Sequence, residues 1–149
     1  MMPFTKILTA IDFSENSDRA FDYALTLATR FDAELTIIHV INEPVDLRGF
    51  YVPHISFEQL EKEIEESAVK MMETFCKSKL GSFSNYSTSI VTGIPYDEIT
   101  AAAARIDASL IVLGTHGRTG LDHILFGSTA ERVVRSAACP VLTVKLAAV

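Results

Sequence analysis

Leu110-Ile111-Val112-Leu113-Gly114-Thr115-His116-Gly117, continuing through Arg118 and Thr119 to Phe126-Gly127-Ser128-Thr129, is the stretch whose reading decides the fold. An apolar run of strand character passes straight into a glycine-bearing turn, and a helical pattern opens at Ser128. The glycines fall as Gly114-x2-Gly117-x9-Gly127-Ser128. Strand, glycine turn and helix in succession make the repeating unit of an α/β protein. A turn of this kind exposes backbone N–H groups, and the following helix N-terminus adds its own unpaired donors and a partial positive charge. Together they can cradle an anion, phosphate being the usual one.

The same alternation extends outward in both directions. Phe4 to Ile11 reads as a first strand, apolar almost throughout, as a strand covered on both faces should be. Ser14, Asn16 and Ser17 are candidate caps for a helix running to about Arg30, with Phe21, Ala24, Leu25 and Ala28 on one face. Glu34 to Ile41 is a second strand, and 42–55 is a long connection. Ser56-x-x-Gln59 is a capping box. It opens a helix with the stripe Phe57, Leu60, Ile64, Ala68, Met71, Phe75, in which Met71 and Met72 read as core filling and Gly81 as terminator.

Asn85 to Val91 is a more polar strand, suited to a sheet edge. Pro95 starts a helix that runs to Arg105, Asp107 to Leu113 is the fourth strand, and Val141 to Val144 is a fifth after the helix from Ser128 to about Ser136. The order β-α-β-α-β-α-β-α-β predicts an α/β fold: one open five-stranded parallel sheet with helices on both faces.

With 149 residues, one domain over 1–149 is expected, with a sizeable core. A formal net charge of -6 argues against nucleic acid as a partner, because such proteins present a basic face. No run reaches the roughly 18 apolar residues of a membrane span, so no membrane association is expected. Cys76 and Cys139 have neither metal nor redox spacing, and His39, His54, His116 and His123 have no metal-ligand spacing. Free thiols and no signal-peptide pattern at the N-terminus lead to the expectation of a cytoplasmic protein.

In open α/β sheets, ligands bind beyond the carboxyl ends of the strands, where strand order reverses. If the order is 3-2-1-4-5, that crevice lies between the first and fourth strands. Asp12 follows the first and Gly114 to Gly117 follow the fourth. A carboxylate there can accept hydrogen bonds from ribose while the loop holds phosphate. Each residue also has a plainer reading. Asp12 could cap the first helix, and Ser128-x-x-Glu131 is itself a capping box, so Ser128 could be a cap, a phosphate ligand or both. His39 fits the sheet better than chemistry, and Arg118 fits a phosphate contact or a solvated surface equally.

Ala10-Ile11-Asp12-Phe13-Ser14, His39-Val40, Gly93-Ile94-Pro95, the glycine stretch and Cys139-Pro140-Val141-Leu142-Thr143-Val144 together resemble the universal stress protein family, in order and spacing, across the chain. The complete glycine motif resembles that of the family's ATP-binding branch. The resemblance implies the 3-2-1-4-5 sheet, an adenine nucleotide alpha hydrolase-like fold. It implies adenine beside the backbone of Val40 with Ala10 and Ile11 on the base side, and ribose near Asp12 and Gly114, next to Leu113. It implies phosphates against Gly117, Gly127, Ser128 and Thr129. His116 and Arg118 are further candidate phosphate contacts read from the loop itself, with a solvated loop position open for each.

The implied cofactor is ATP, with AMP and ADP open, and Mg or Mn bound through the phosphates. A homodimer through Val141–Val144 is implied too, and an unidentified protein partner fits a regulatory role. The favoured function is an ATP-binding stress-response module that couples occupancy to dimer or partner contacts. A slow ATPase or phosphotransferase is the alternative. It is weakened because no residue presents itself as a base, and no catalytic residue is assigned. A structural subunit that binds no nucleotide is the third reading.

Overall fold

A computed structural model of the chain describes residues 3–42, 56–116 and 126–146. The elements are β1 (Lys6–Ala10), α1 (Glu15–Phe31), β2 (Glu34–Asn42), α2 (Phe57–Lys79), β3 (Tyr86–Gly93), α3 (Pro95–Ile106), β4 (Leu110–Gly114), α4 (Ser128–Ser136) and β5 (Val141–Val144). The five strands lie in the order β3-β2-β1-β4-β5, and every neighbouring pair is parallel. This is the order the resemblance implied.

β1 is central because both its faces are apolar. Successive side chains point to opposite faces of a strand. Ile7 and Ile11 therefore join Phe21, Ile37, Phe75 and Val112 in a core under α1 and α2. Leu8 faces the other way, into a second core with Ile38, Ile99, Ile111 and Val133 under α3 and α4. Ala20, Ala24 and Ala28 give α1 a flat buried face at a spacing of four residues, which lets the helix lie close on the sheet. At the rims, β3 is exposed along its first half, Tyr86 to Thr88, as its polar sequence predicts, and Leu142 of β5 is 36% exposed.

Several local expectations need correction. The fourth strand begins at Leu110 and not Asp107, because Asp107 ends α3 in the left-handed conformation with φ 56°. An Asp tolerates that geometry, and it turns the chain back toward the sheet. Met72 is buried as core filling, but Met71 is 40% exposed and Ile64 likewise, so the buried line of α2 is Ala68, Met72 and Phe75 rather than the whole stripe. At Ser56 the hydroxyl does accept from the Gln59 N–H (3.3 Å), yet the Gln59 side chain turns to Glu63 rather than back to the cap. At α4 the N-cap is Gly127, not Ser128, which is the first helical residue. Gly81, at φ 56°, does follow the end of α2. Among the described residues no helix is long and apolar enough to cross a membrane, and both cysteines are free thiols.

Candidate functional site

The strand order reverses at β1: the β1–α1–β2 connection runs to one side of it, and the crossover from β3 through α3 places β4 on the other. The gap this opens at the carboxyl ends of β1 and β4 is a cleft of about 230 Å³. That lies toward the small end of pockets that take cofactors, on the scale of a nucleoside rather than a peptide. Ala10, Ile11 and Asp12 line it from the end of β1 and the turn beyond, Val40 from β2, Leu113 through His116 from the end of β4 and the loop after it, and Gly127 through Ala130 from the start of α4. Pro95 and Ile99 close it from α3, and Ser17 from α1.

The β1 side is set by a tight web. Phe13 has φ 65°, a left-handed backbone that costs a bulky residue about 1 kcal/mol. Its ring is held against His39 (centroids 4.7 Å apart) and Phe75 (6.1 Å). The turn lets Asp12 Oδ1 accept from the Ser14 N–H (2.9 Å), while the Asp12 N–H donates to Ser17 Oγ (3.0 Å). Ser14 is the N-cap of α1, its hydroxyl accepting from the Ser17 N–H (3.2 Å). Asp12 therefore buttresses the turn without being the cap. Its carboxylate is positioned at the cleft, where a hydroxyl donor of a ligand could meet it. His39 is structural: its Nδ1 lies 2.8 Å from the Ile11 carbonyl, which can only accept, so Nδ1 carries the proton.

On the β4 side two glycines stand where no side chain fits. A Cβ on Gly114 would lie 2.5 Å from Asn16 Oδ1, and one on Gly127 would lie 2.9 Å from the Thr115 carbonyl oxygen. The second contact is with backbone, which cannot swing aside. The Gly127 N–H donates to that same Thr115 carbonyl (2.6 Å), tying the start of α4 to the end of β4. Thr115 is fully buried, and its hydroxyl lies 2.9 Å from His116 Nδ1. Beyond Gly127, no side chain among the described residues caps α4. Ser128 and Thr129, in its first turn, line the cleft at the positive end of the helix dipole, where helical N–H groups have no partner within the helix.

Ten of the twelve site residues expected from the sequence line this one cleft: Ala10, Ile11, Asp12, Val40, Leu113, Gly114, His116, Gly127, Ser128 and Thr129. Gly117 and Arg118 lie outside the described residues, as do Thr119, Asp122, His123 and the connection 43–55. Sequence reasoning passed over Ser17, Pro95, Ile99 and, above all, Asn16. A signal for Asn16 existed. It stands four residues before Ala20, on the Ala20-Ala24-Ala28 line, so a polar residue occupied the buried face of α1. Among the described residues, no group of three or more His, Cys, Asp or Glu could hold a metal ion.

A doubly covered parallel sheet in this order, with its cleft at the β1–β4 switch point, defines an α/β protein of the adenine nucleotide alpha hydrolase-like fold. The chain belongs to the universal stress protein family, whose model matches residues 3–145. It is 37% identical to universal stress protein MJ0531 of Methanocaldococcus jannaschii, over 95% of this chain and 82% of that one. It is 35% identical to universal stress protein YxiE of Bacillus subtilis, over 95% and 99% of the two chains. Among solved structures, protein MJ0577 superposes with a TM-score of 0.86 at 31% identity, covering 99% of this chain and 100% of that one. A universal stress protein in complex with cAMP shares the fold, with a TM-score of 0.66 at 23% identity over 96% and 98% of the chains.

Proposed function

We propose that this chain is a nucleotide-binding regulatory module of the stress response, and that the ligand is an adenine nucleotide, ATP first. The observation that carries this reading is the convergence of Ala10, Ile11 and Asp12 at the end of β1, Val40, the end of β4 and the N-terminus of α4, which no side chain caps, on one cleft. In this reading Val40 meets the base with its backbone, against the apolar wall of Ala10, Ile11 and Leu113. Asp12 accepts from ribose hydroxyls beside Gly114. The N–H groups of Ser128 and Thr129 face the phosphates, beside Gly127 and together with His116, Gly117 and Arg118. The donors at α4 suit phosphate oxygens, whereas a divalent cation would need the phosphates themselves as its main ligands. Mg or Mn therefore enters with the nucleotide. Occupancy then changes a surface read by a second copy pairing along Val141–Val144, or by another protein.

The first experiment is to denature freshly purified protein and identify the released nucleotide by anion exchange, followed by calorimetry with Mg-ATP. Gly117→Val runs alongside, since added bulk should block the approach of phosphate to the loop. Stoichiometric ATP, lost in the variant, is the expected result. ADP or AMP in its place would favour slow hydrolysis. No released nucleotide together with no saturable Mg-ATP binding would overturn the proposal in favour of a structural subunit. A mass that stays monomeric at every concentration would remove the β5 dimer.

A further inference from the structure

We propose that Asn16 is the positioning residue that joins the loop after β4 to the end of the edge strand β5, so that a nucleotide in the cleft is felt at β5. The ligand in this statement rests on the function proposed above; the mechanics rest on geometry alone. Asn16 is 2% exposed and belongs to the first turn of α1, far in sequence from both partners. Its Oδ1 accepts from the His116 N–H at 2.7 Å, and its Nδ2 donates to the Val144 carbonyl at 3.0 Å. The orientation of the amide is fixed, because a backbone N–H can only donate and a carbonyl only accept. The Val144 carbonyl also receives the Thr115 N–H at 3.0 Å.

One side chain thus spans from the last residue of β5 to the residue that follows Gly114 and Thr115 in the cleft wall. The Thr115 carbonyl extends the connection to Gly127 and the start of α4. The arrangement is stiff for two reasons. Burial denies water as a substitute partner, so breaking either bond leaves a buried polar group unpaired. Gly114 has no side chain, and the place of its Cβ lies 2.5 Å from Oδ1, so the carboxamide fills that space. A ligand that shifts His116 must therefore carry Asn16 with it or break the bond, and Asn16 holds Val144. The strand it holds is the one with an unpaired outer edge and the part-exposed Leu142. Linkage makes the effect reciprocal: pairing at β5 would change affinity in the cleft by the same factor.

Amide hydrogen exchange on the ligand-free protein tests the mechanics. In Asn16→Ala, segments 113–116 and 141–146 should both exchange faster, by about tenfold or more, while α2 and α3 keep wild-type rates. Acceleration in only one of the two segments, or in neither, overturns the proposal, and so does equal acceleration throughout the chain. Asn16→Asp keeps the acceptor and loses the donor. It should release 141–146 and spare the His116 amide, and it serves where the alanine variant does not fold. Saturating Mg-ATP should then slow exchange at 141–146 in the wild type and not in the variants. If wild type binds Mg-ATP and 141–146 is unchanged, the coupling falls and the nucleotide site stands. If wild type binds no Mg-ATP, the nucleotide reading and the coupling fall together, while the ligand-free rates still judge the role of Asn16 in joining loop and strand.

Discussion

Replacing Ser128 with Asp should stabilise the fold and weaken ATP binding at once. Ser128 is the first residue of α4, exposed, beside the cleft, and not the cap, which is Gly127. A carboxylate there meets the positive end of the helix dipole, worth about 0.3–1 kcal/mol. For a chain of this size that raises the melting temperature by about 1–4 °C. The same carboxylate stands where the phosphates are proposed to lie. Like charges about 4 Å apart repel by roughly 1 kcal/mol in water and roughly 4 kcal/mol at a half-buried site. Because Ser128 is exposed, the lower part of that range applies. About 1–2 kcal/mol corresponds to a roughly 5- to 30-fold weaker affinity.

Thermal denaturation and calorimetry with Mg-ATP read the two effects separately, and the loss of affinity should shrink at high salt. Ser128→Ala is the control. A capping serine would cost about 1 kcal/mol on removal, whereas this one should change stability by less than about 0.5 kcal/mol. A melting temperature that rises in Ser128→Asp with an unchanged ATP affinity would refute the placement of phosphate at α4.

Other substitutions follow from the packing. Thr9 is fully buried and its hydroxyl has no hydrogen-bond partner among the described residues, so Thr9→Val should stabilise by about 1 kcal/mol in urea denaturation; a loss of stability would mean the hydroxyl is satisfied. Ser14→Ala removes the cap of α1 and should cost about 1 kcal/mol by the same assay. Gly114→Ala should cost about 1–3 kcal/mol by overpacking against Asn16, and distinctly less in an Asn16→Ala background, since the clash has one partner; additive costs would contradict the contact. Burial pushes the Cys76 and Cys139 thiols up from their ordinary range, more than the backbone hydrogen bond at Cys139 pulls it down. The thiolate is therefore scarcer in the folded protein, and alkylation at pH 8 should be slower than for free cysteine, gaining as the pH rises past 9; a rate equal to the free amino acid would disprove this.

The class of fold and most of the cleft were legible in the chain because they rest on local patterns. Apolar runs such as Ile7 to Ile11 and Leu110 to Leu113 declare buried parallel strands, and the pattern of Gly114, Gly117 and Gly127 declares a loop made of backbone. The misreadings came where two local rules compete over one residue. Ser128-x-x-Glu131 satisfies the capping-box pattern, but the helix starts one residue earlier than that pattern requires, because Gly127 is tied to the Thr115 carbonyl and takes the cap position itself. Met71 satisfies the helical stripe, but the buried line of α2 runs through Ala68, Met72 and Phe75, so Met71 stays exposed beside it.

By itself the sequence determined the order of elements and the parallel sheet, since propensity, spacing and chain order act between near neighbours; the residues proposed to face a nucleotide came from the family resemblance together with the glycine loop. Local pattern left the strand order open; the family resemblance implied it, and the tertiary structure shows β1 at the centre with β4 beside it, which brings Asp12 to the same cleft as Gly114 and Ser128. Only the tertiary structure decided why Gly114 must be a glycine. The space is taken by Asn16, 98 positions earlier in the chain (114 less 16). No local pattern reports a contact across that separation, because the two residues become neighbours only when the sheet has assembled and α1 has packed on it.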